Sequence, residues 1–130
     1  MLEGAHLVGF VATSDLATAD AFYGELLKLP RSDSTPLAHV YRVNGAVLCV
    51  VRADDVQPTG QTVFAWAVED LSATVAAMGE AGIELITYAG LEQDSDQAWT
   101  SPGGARVAWF KDPEGHILSV MQMRDPAGAA

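Results

Sequence analysis

The apolar and polar positions change period several times along the chain, and each change predicts an element. Leu7 to Ala12 is a short apolar run containing Gly9 and reads as a buried strand. Ser14-Asp15 then supplies a helix N-cap, and Leu16, Ala19, Phe22, Tyr23, Leu26 and Leu27 follow at helical spacing until Pro30 stops the run. His39 to Val43 and Ala46 to Arg52 are two β-rich runs separated by Asn44-Gly45, a strong hairpin signal. Asp54 to Gly60 is a connecting loop.

The order then recurs. Val63 to Val68 is strand-like. Glu69-Asp70 opens a second helix carrying Leu71, Val75 and Met78 on one face and ending at Gly82. Leu85 to Tyr88 reads as a strand and Glu92 to Asp96 as an acidic loop. Arg106 to Lys111 and Ile117 to Met123 are two strands around the turn Asp112-Pro113-Glu114-Gly115.

At an offset of 55 residues, Ala12, Asp15, Leu16, Ala21, Gly24 and Glu25 meet identical residues at Ala67, Asp70, Leu71, Ala76, Gly79 and Glu80. The matches cover the strand-to-helix corner and the helix end, so the chain reads as two copies of β-α-β-β-β. A sheet with a helix on one face cannot bury its other face alone. The two modules are therefore expected to pack or curl together around a shared concavity. The predicted class is α+β, one domain over 1–130. Its modules span about 5–53 and 61–124, with curved mixed sheets around a cavity, helices outside and a frayed tail at 125–130.

Charge narrows the partners. Seventeen carboxylates against seven Lys and Arg argue against nucleic acid and anionic membrane surfaces, both of which need a basic footprint. The longest apolar stretch, Ala46 to Val51, is far short of the roughly 20 residues of a membrane helix. No secretory signal pattern opens the chain, and the lone Cys49 builds neither an internal disulfide nor a cysteine zinc site. These features point to a cytoplasmic protein.

Ser14-Asp15-Leu16 followed by Phe22-Tyr23-Gly24, and the run from Val107 through Asp112-Pro113-Glu114-Gly115 to His116, carry a family likeness. With the two-module layout, they resemble the vicinal oxygen chelate superfamily, which includes glyoxalase, bleomycin-resistance and extradiol-dioxygenase relatives. The first match resembles that family's opening helix, with Leu29-Pro30 where a Leu-Gly stop is usual; the second resembles its hallmark last hairpin. The resemblance implies a ligand position seven residues before each helix-opening Asp, here Val8 and Val63. It implies another seven after the hairpin Asp, at Ser119, and a fourth within Leu48 to Val50, around Cys49. Valine has no donor atom, serine is a poor ligand for a divalent ion, and a single cysteine cannot complete a site. The resemblance therefore carries over the fold and the cavity without the metal, and no cofactor is expected.

Candidate ligand-binding residues follow from alternation along the strands. If the last hairpin pairs as the resemblance implies, Trp109 falls on the same face as Ser119, and concave alternation nominates Phe10, Ile117 and Met121. Plain core packing competes evenly with a cavity wall for Trp109. Trp66 is expected on the helix side. Trp99 follows the acidic loop and either caps the cavity or pins the loop. His39 is either a cavity-facing polar group or an ordinary half-exposed strand residue; His6 reads as a surface residue, and His116 as a brace for the turn. Arg52 and Arg106 read as surface ion-pair partners. No nucleophile elbow, phosphate-cradling loop or dinucleotide turn is present, and no catalytic residue is assigned.

Three functions remain open on the sequence. One is a metal-free homodimer that binds a small apolar or aromatic molecule, with overall charge mildly favouring a cation. Another is a metal-dependent lyase, isomerase or dioxygenase of the same superfamily using non-standard ligands such as His6 or His39. The last is a regulatory module without a ligand. The Val-Val-Ser pattern disfavours the enzyme, and the aromatic positions favour binding.

Overall fold

The computed structural model describes residues 1–123. The expected tail at 125–130 and the last residue of the second module, at 124, lie outside the described residues. The chain divides into two compact units, Met1–Thr59 with Asp112–Glu114, and Gly60–Lys111 with the residues from Gly115 onward. Among the described residues there are eight strands, two α-helices and one π-helical segment.

In the first unit, β1 (Val8–Thr13) leads into α1 (Leu16–Asp20), followed by β2 (Arg31–Ser34), β3 (Ala38–Val43) and β4 (Ala46–Arg52). Asp15 caps α1, its Oδ1 accepting the Ala17 and Thr18 N–H groups at 2.9 and 3.3 Å. The periodic stretch was expected to be one helix. It instead loosens into π-helix over Ala21–Leu26 and turns out through Lys28, at φ 61°, before Pro30 is reached. Crowding at Gly24 accompanies the loosened winding: a Cβ there would lie 2.4 Å from Asp20 Oδ1, which accepts the Tyr41 hydroxyl at 2.6 Å. Asp20 Oδ2 also pairs with Arg31 at 3.1 Å.

The Asn44-Gly45 hairpin forms as expected, with φ of 45° and 84° at its two central residues, the left-handed pair that a type I′ turn needs. β2 had no clear apolar pattern and was not read from sequence. All four of its residues are exposed, and it pairs with β3 as the polar edge of the sheet. Sheet order is β1-β4-β3-β2, with β1 and β4 parallel and the other pairs antiparallel.

The second unit repeats this plan. β5 (Thr62–Ala67), α2 (Leu71–Glu80), β6 (Trp99–Thr100), β7 (Arg106–Lys111) and β8 (Ile117–Gln122) give the order β5-β8-β7-β6, again with the first and last strands parallel. Asp70, the counterpart of Asp15 at the 55-residue offset, caps α2 by accepting the Ala73 N–H at 3.0 Å. Leu85 to Tyr88 is not a strand. One backbone bond to a strand, Ile86 N–H to Trp109 O at 2.8 Å, lays it beside β7, while Tyr88 O accepts the Leu91 N–H and the Gln93 side chain takes up the Tyr88 N–H and Ile86 O. No helix is long and apolar enough to cross a membrane among the described residues.

Each unit has its own apolar layer. In the first, Val11, Leu48, Val50 and Tyr41 share the sheet face under the helix, as the Tyr41–Asp20 bond requires, and pack with Ala19, Phe22 and Tyr23. In the second, Leu118, Val120, Phe110 and Trp66 share a face, Trp66 stacking on Phe110 with ring centres 6.0 Å apart. Gln122, on that same face, accepts the Leu71 N–H at 2.9 Å, so α2 opens on this side. Trp66 therefore lies on the helix side, as alternation predicted.

Candidate functional site

Strand register decides what each unit presents on the face away from its helix. In the second unit, Trp109 stands directly opposite Ser119, Val107 opposite Met121, and Lys111 opposite Ile117. β6 adds Trp99 opposite Val107, and β5 adds Thr62 beside Ile117 and Ala65 beside Ser119. Five of the seven candidate residues, Trp99, Trp109, Ile117, Ser119 and Met121, thus share one sheet face. Ile117 and Ser119 are buried, with Ser119 only 2% exposed, whereas Trp99, Trp109 and Met121 are half-buried.

Trp109 is the centre of an aromatic group. Tyr88 meets it edge to face at 5.2 Å and 88°, and Trp99 lies 6.2 Å away at a 33° tilt. Its indole Nε1 donates to Thr62 Oγ1 at 3.2 Å. Pairs in this geometry contribute about 0.5–1.5 kcal/mol each beyond the area they bury. Tyr88 and Thr62 escaped the sequence reading because Tyr88 was assigned to a strand and Thr62 lies before the apolar run of β5.

The loop after Tyr88 is held from within. The Gln93 side chain accepts the Tyr88 N–H at 2.8 Å and donates to Ile86 O and Gln97 O at 3.0 and 2.8 Å. Asp94 accepts the Asp96 and Ala98 N–H groups, and the Arg106 guanidinium binds Asp94 and Asp96 at 2.8 and 3.0 Å. Partial burial works upward on the Asp94 carboxyl, but the Arg106 and backbone hydrogen bonds outweigh it and hold the group below its usual range. Hydrogen bonds from Ser72 and Arg106 lower Asp96 in the same way. Arg106, read as a surface ion-pair partner, is the clamp of this loop. Beside it lies an open groove of about 640 Å³, lined by Leu91, Glu92, Gln93, Asp94, Ala98, Trp99 and Thr100.

The remaining two candidates are in the first unit and on opposite faces of its sheet. Phe10 pairs with Cys49 on the face away from the helix and is 65% exposed, in a row with Val8, Ala12, Val47 and Val51. His39 lies on the helix side, opposite Val50 and near Tyr41, and is buried with its Nδ1 lacking a hydrogen-bond partner. Neither a cavity-facing nor a half-exposed position describes it. His6 Nδ1 is 2.6 Å from Gly45 O, and Arg52 pairs with Asp54.

Metal chemistry depends on the four positions that the family uses. Val8 and Val63 are hydrocarbon, Ser119 offers one buried hydroxyl, and Cys49 stands between Phe10 and Val40 in the sheet. This donor set does not fit a divalent ion. Among the described residues, no group of three or more His, Cys, Asp or Glu is placed to hold one.

The last-hairpin turn has a structural role in the first unit. Tyr23 donates its hydroxyl to Asp112 Oδ2 at 2.7 Å, and the Glu114 carboxylate accepts the Ser14 N–H at 2.7 Å together with the Ser14 and Thr13 hydroxyls. Burial, followed by the Asp112 contact, pushes the Tyr23 hydroxyl well above its ordinary value; burial and Asp20 do the same to Tyr41.

Solved structures with this fold include a bleomycin resistance determinant encoded on the transposon Tn5. It is 16% identical, with 92% of this chain and 98% of that one covered and a TM-score of 0.73. A lactoylglutathione lyase from Agrobacterium tumefaciens matches at 15% identity, 92% and 93% coverage and a TM-score of 0.68. A glyoxalase/bleomycin resistance protein/dioxygenase from Alicyclobacillus acidocaldarius matches at 15% identity, 98% and 97% coverage and 0.71. No curated protein sequence matches the chain significantly. The family model for the glyoxalase/bleomycin resistance protein/dioxygenase superfamily matches residues 5–120, and the chain belongs to that superfamily.

Proposed function

We propose that this chain is a small-molecule-binding member of its superfamily that works without a metal, holding a flat, largely apolar or aromatic ligand against Trp109. The observation that carries the reading is the Tyr88–Trp109–Trp99 group on the sheet face away from α2. The donor-poor family positions Val8, Val63 and Ser119 support it. An aromatic surface gives dispersion and hydrophobic burial, about 25 cal/mol per Å² of apolar area covered. It offers no preorganised charge for a developing enediolate or oxyanion, which turnover would require. The Agrobacterium relative is a lactoylglutathione lyase by name. For this chain, a metal-dependent activity through His6 or His39 is not favoured, since His39 faces the helix side and His6 Nδ1 is engaged by Gly45 O.

The proposed assembly is a cytoplasmic homodimer. The apolar face of the first sheet, with Phe10 and Val8 exposed, is a surface that a second copy would cover. Tryptophan fluorescence tests the binding reading. Some members of an aromatic compound panel are expected to quench emission of the wild type and not of a folded Trp109→Ala variant. Quenching that survives this change removes Trp109 from the site. Turnover of the methylglyoxal–glutathione adduct by protein stripped of metal refutes binding without catalysis.

A further inference from the structure

We infer that the groove beside Trp99 selects planar aromatic cations, with the Trp99 ring as its stacking wall and Glu92 as its anionic contact. The inference rests on the ligand-binding reading and names the ligand class. Trp99 lines the groove and packs on Trp109, which couples the groove to the aromatic group. Its indole N–H and the Glu92 carboxylate have no hydrogen-bond partner among the described residues. Asp94, by contrast, is engaged by Arg106 and two backbone N–H groups, which leaves Glu92 as the groove's unengaged charge.

The charged residues lining the groove are Glu92 and Asp94, both acidic, and Arg106 pairs with Asp94 and with Asp96 of the same loop, so Glu92 is the lining charge without an ion-pair partner among the described residues. Lys111 stands at the far end of β7 from Arg106. An aromatic cation laid on Trp99 gains stacking and cation–π attraction together, and the Glu92 carboxylate adds a charge contact. Leu91, 38% exposed, extends the apolar wall. The Gln93 and Arg106 contacts fix this loop before a ligand arrives, which lowers the ordering cost of binding.

Isothermal titration calorimetry with proflavine, a planar tricyclic cation, and acridine, its neutral counterpart in mildly alkaline buffer, tests this. At low salt the wild type should bind proflavine about fivefold more tightly than acridine, a gap that narrows to about twofold in Glu92→Gln and with added salt. Trp99→Leu should weaken both probes about tenfold, with Trp99→Phe recovering most of the loss, each variant first checked for fold by circular dichroism. Equal affinity for the two probes, unchanged in Glu92→Gln, overturns the charge selection while leaving Trp109-dependent binding intact. Wild-type affinity in both Trp99 variants overturns the groove. If no aromatic probe binds by calorimetry or by Trp109-dependent quenching, both this inference and the binding reading fall.

Discussion

The two units share a strand order, a parallel first-and-last pair and an aspartate cap 55 residues apart, yet they invest their polar chemistry differently. In the first unit a set of polar contacts lies under or beside the helix: Tyr23 on Asp112, Tyr41 and Arg31 on Asp20, and Glu114 at the opening of α1. Its opposite face carries Val8, Phe10, Val40, Val47, Cys49 and Val51, with Arg42 and Asp33 towards the β2 edge. In the second unit the polar network is in the loop from Gln93 to Ala98, and the face away from the helix carries aromatic rings. The repeated scaffold constrains caps and pairing. The faces that no helix covers are free to diverge, and only the second has gathered rings in the arrangement a ligand could use.

The largest test of this contrast is Tyr23→Phe, which leaves the buried Asp112 carboxylate short of a donor; we expect a loss of about 2–3 kcal/mol in urea unfolding. The Tyr23 hydroxyl is raised in the fold. Its contribution is therefore complete below the unfolded value of about 10 and is lost as pH rises above it, and the variant should show a flatter alkaline limb. An unchanged midpoint and limb would remove this bond as a prop of the first unit. Gly24→Ala comes next, at about 1–2 kcal/mol, because its Cβ must push Asp20 away from Tyr41. The counterpart Gly79→Ala, with nothing within 4 Å of the added atom, should be neutral or stabilising. Equal costs at the two glycines would break the asymmetry.

Smaller effects sharpen it. Asp15→Ala should cost about 1 kcal/mol and Asp70→Ala about half of that, since Asp15 accepts two helix N–H groups and Asp70 one. The reverse order by thermal melting would show that the caps are not matched members of a repeat. The smallest effect is expected in the loop, where Arg106→Gln should lower Tm by about 2 °C at low salt and less at high salt. Asp94 and Asp96 are depressed in the fold, so their contribution holds above about pH 4 and fades as pH falls further, and the variant's deficit should shrink there. A deficit constant from neutral to acid pH would mean that Arg106 acts by packing alone.

Much of this was legible in the residues. The Asn44-Gly45 turn, both aspartate caps and the β7–β8 hairpin follow from interactions among residues a few positions apart, and the chain carries them wherever it goes. The want of metal donors at Val8, Val63 and Ser119 is likewise a property of the side chains themselves. That Trp109 and Ser119 share a face was readable only through the resemblance of the last hairpin, and the register of β7 and β8 sets them directly opposite. Tertiary structure decided the rest. β2 exists only because β3 offers it an edge, and Asp20, which accepts the Tyr41 hydroxyl, sits against Gly24 in a helix that loosens into π winding. His39 faces the helix because its register with Val50 puts it there. Tyr88 and Thr62 reach Trp109 from 21 and 47 residues away, and Gln93 satisfies backbone groups that no strand pairs. Those contacts depend on which distant segments meet once the backbone hydrogen bonds are closed, and local periodicity carries no record of that.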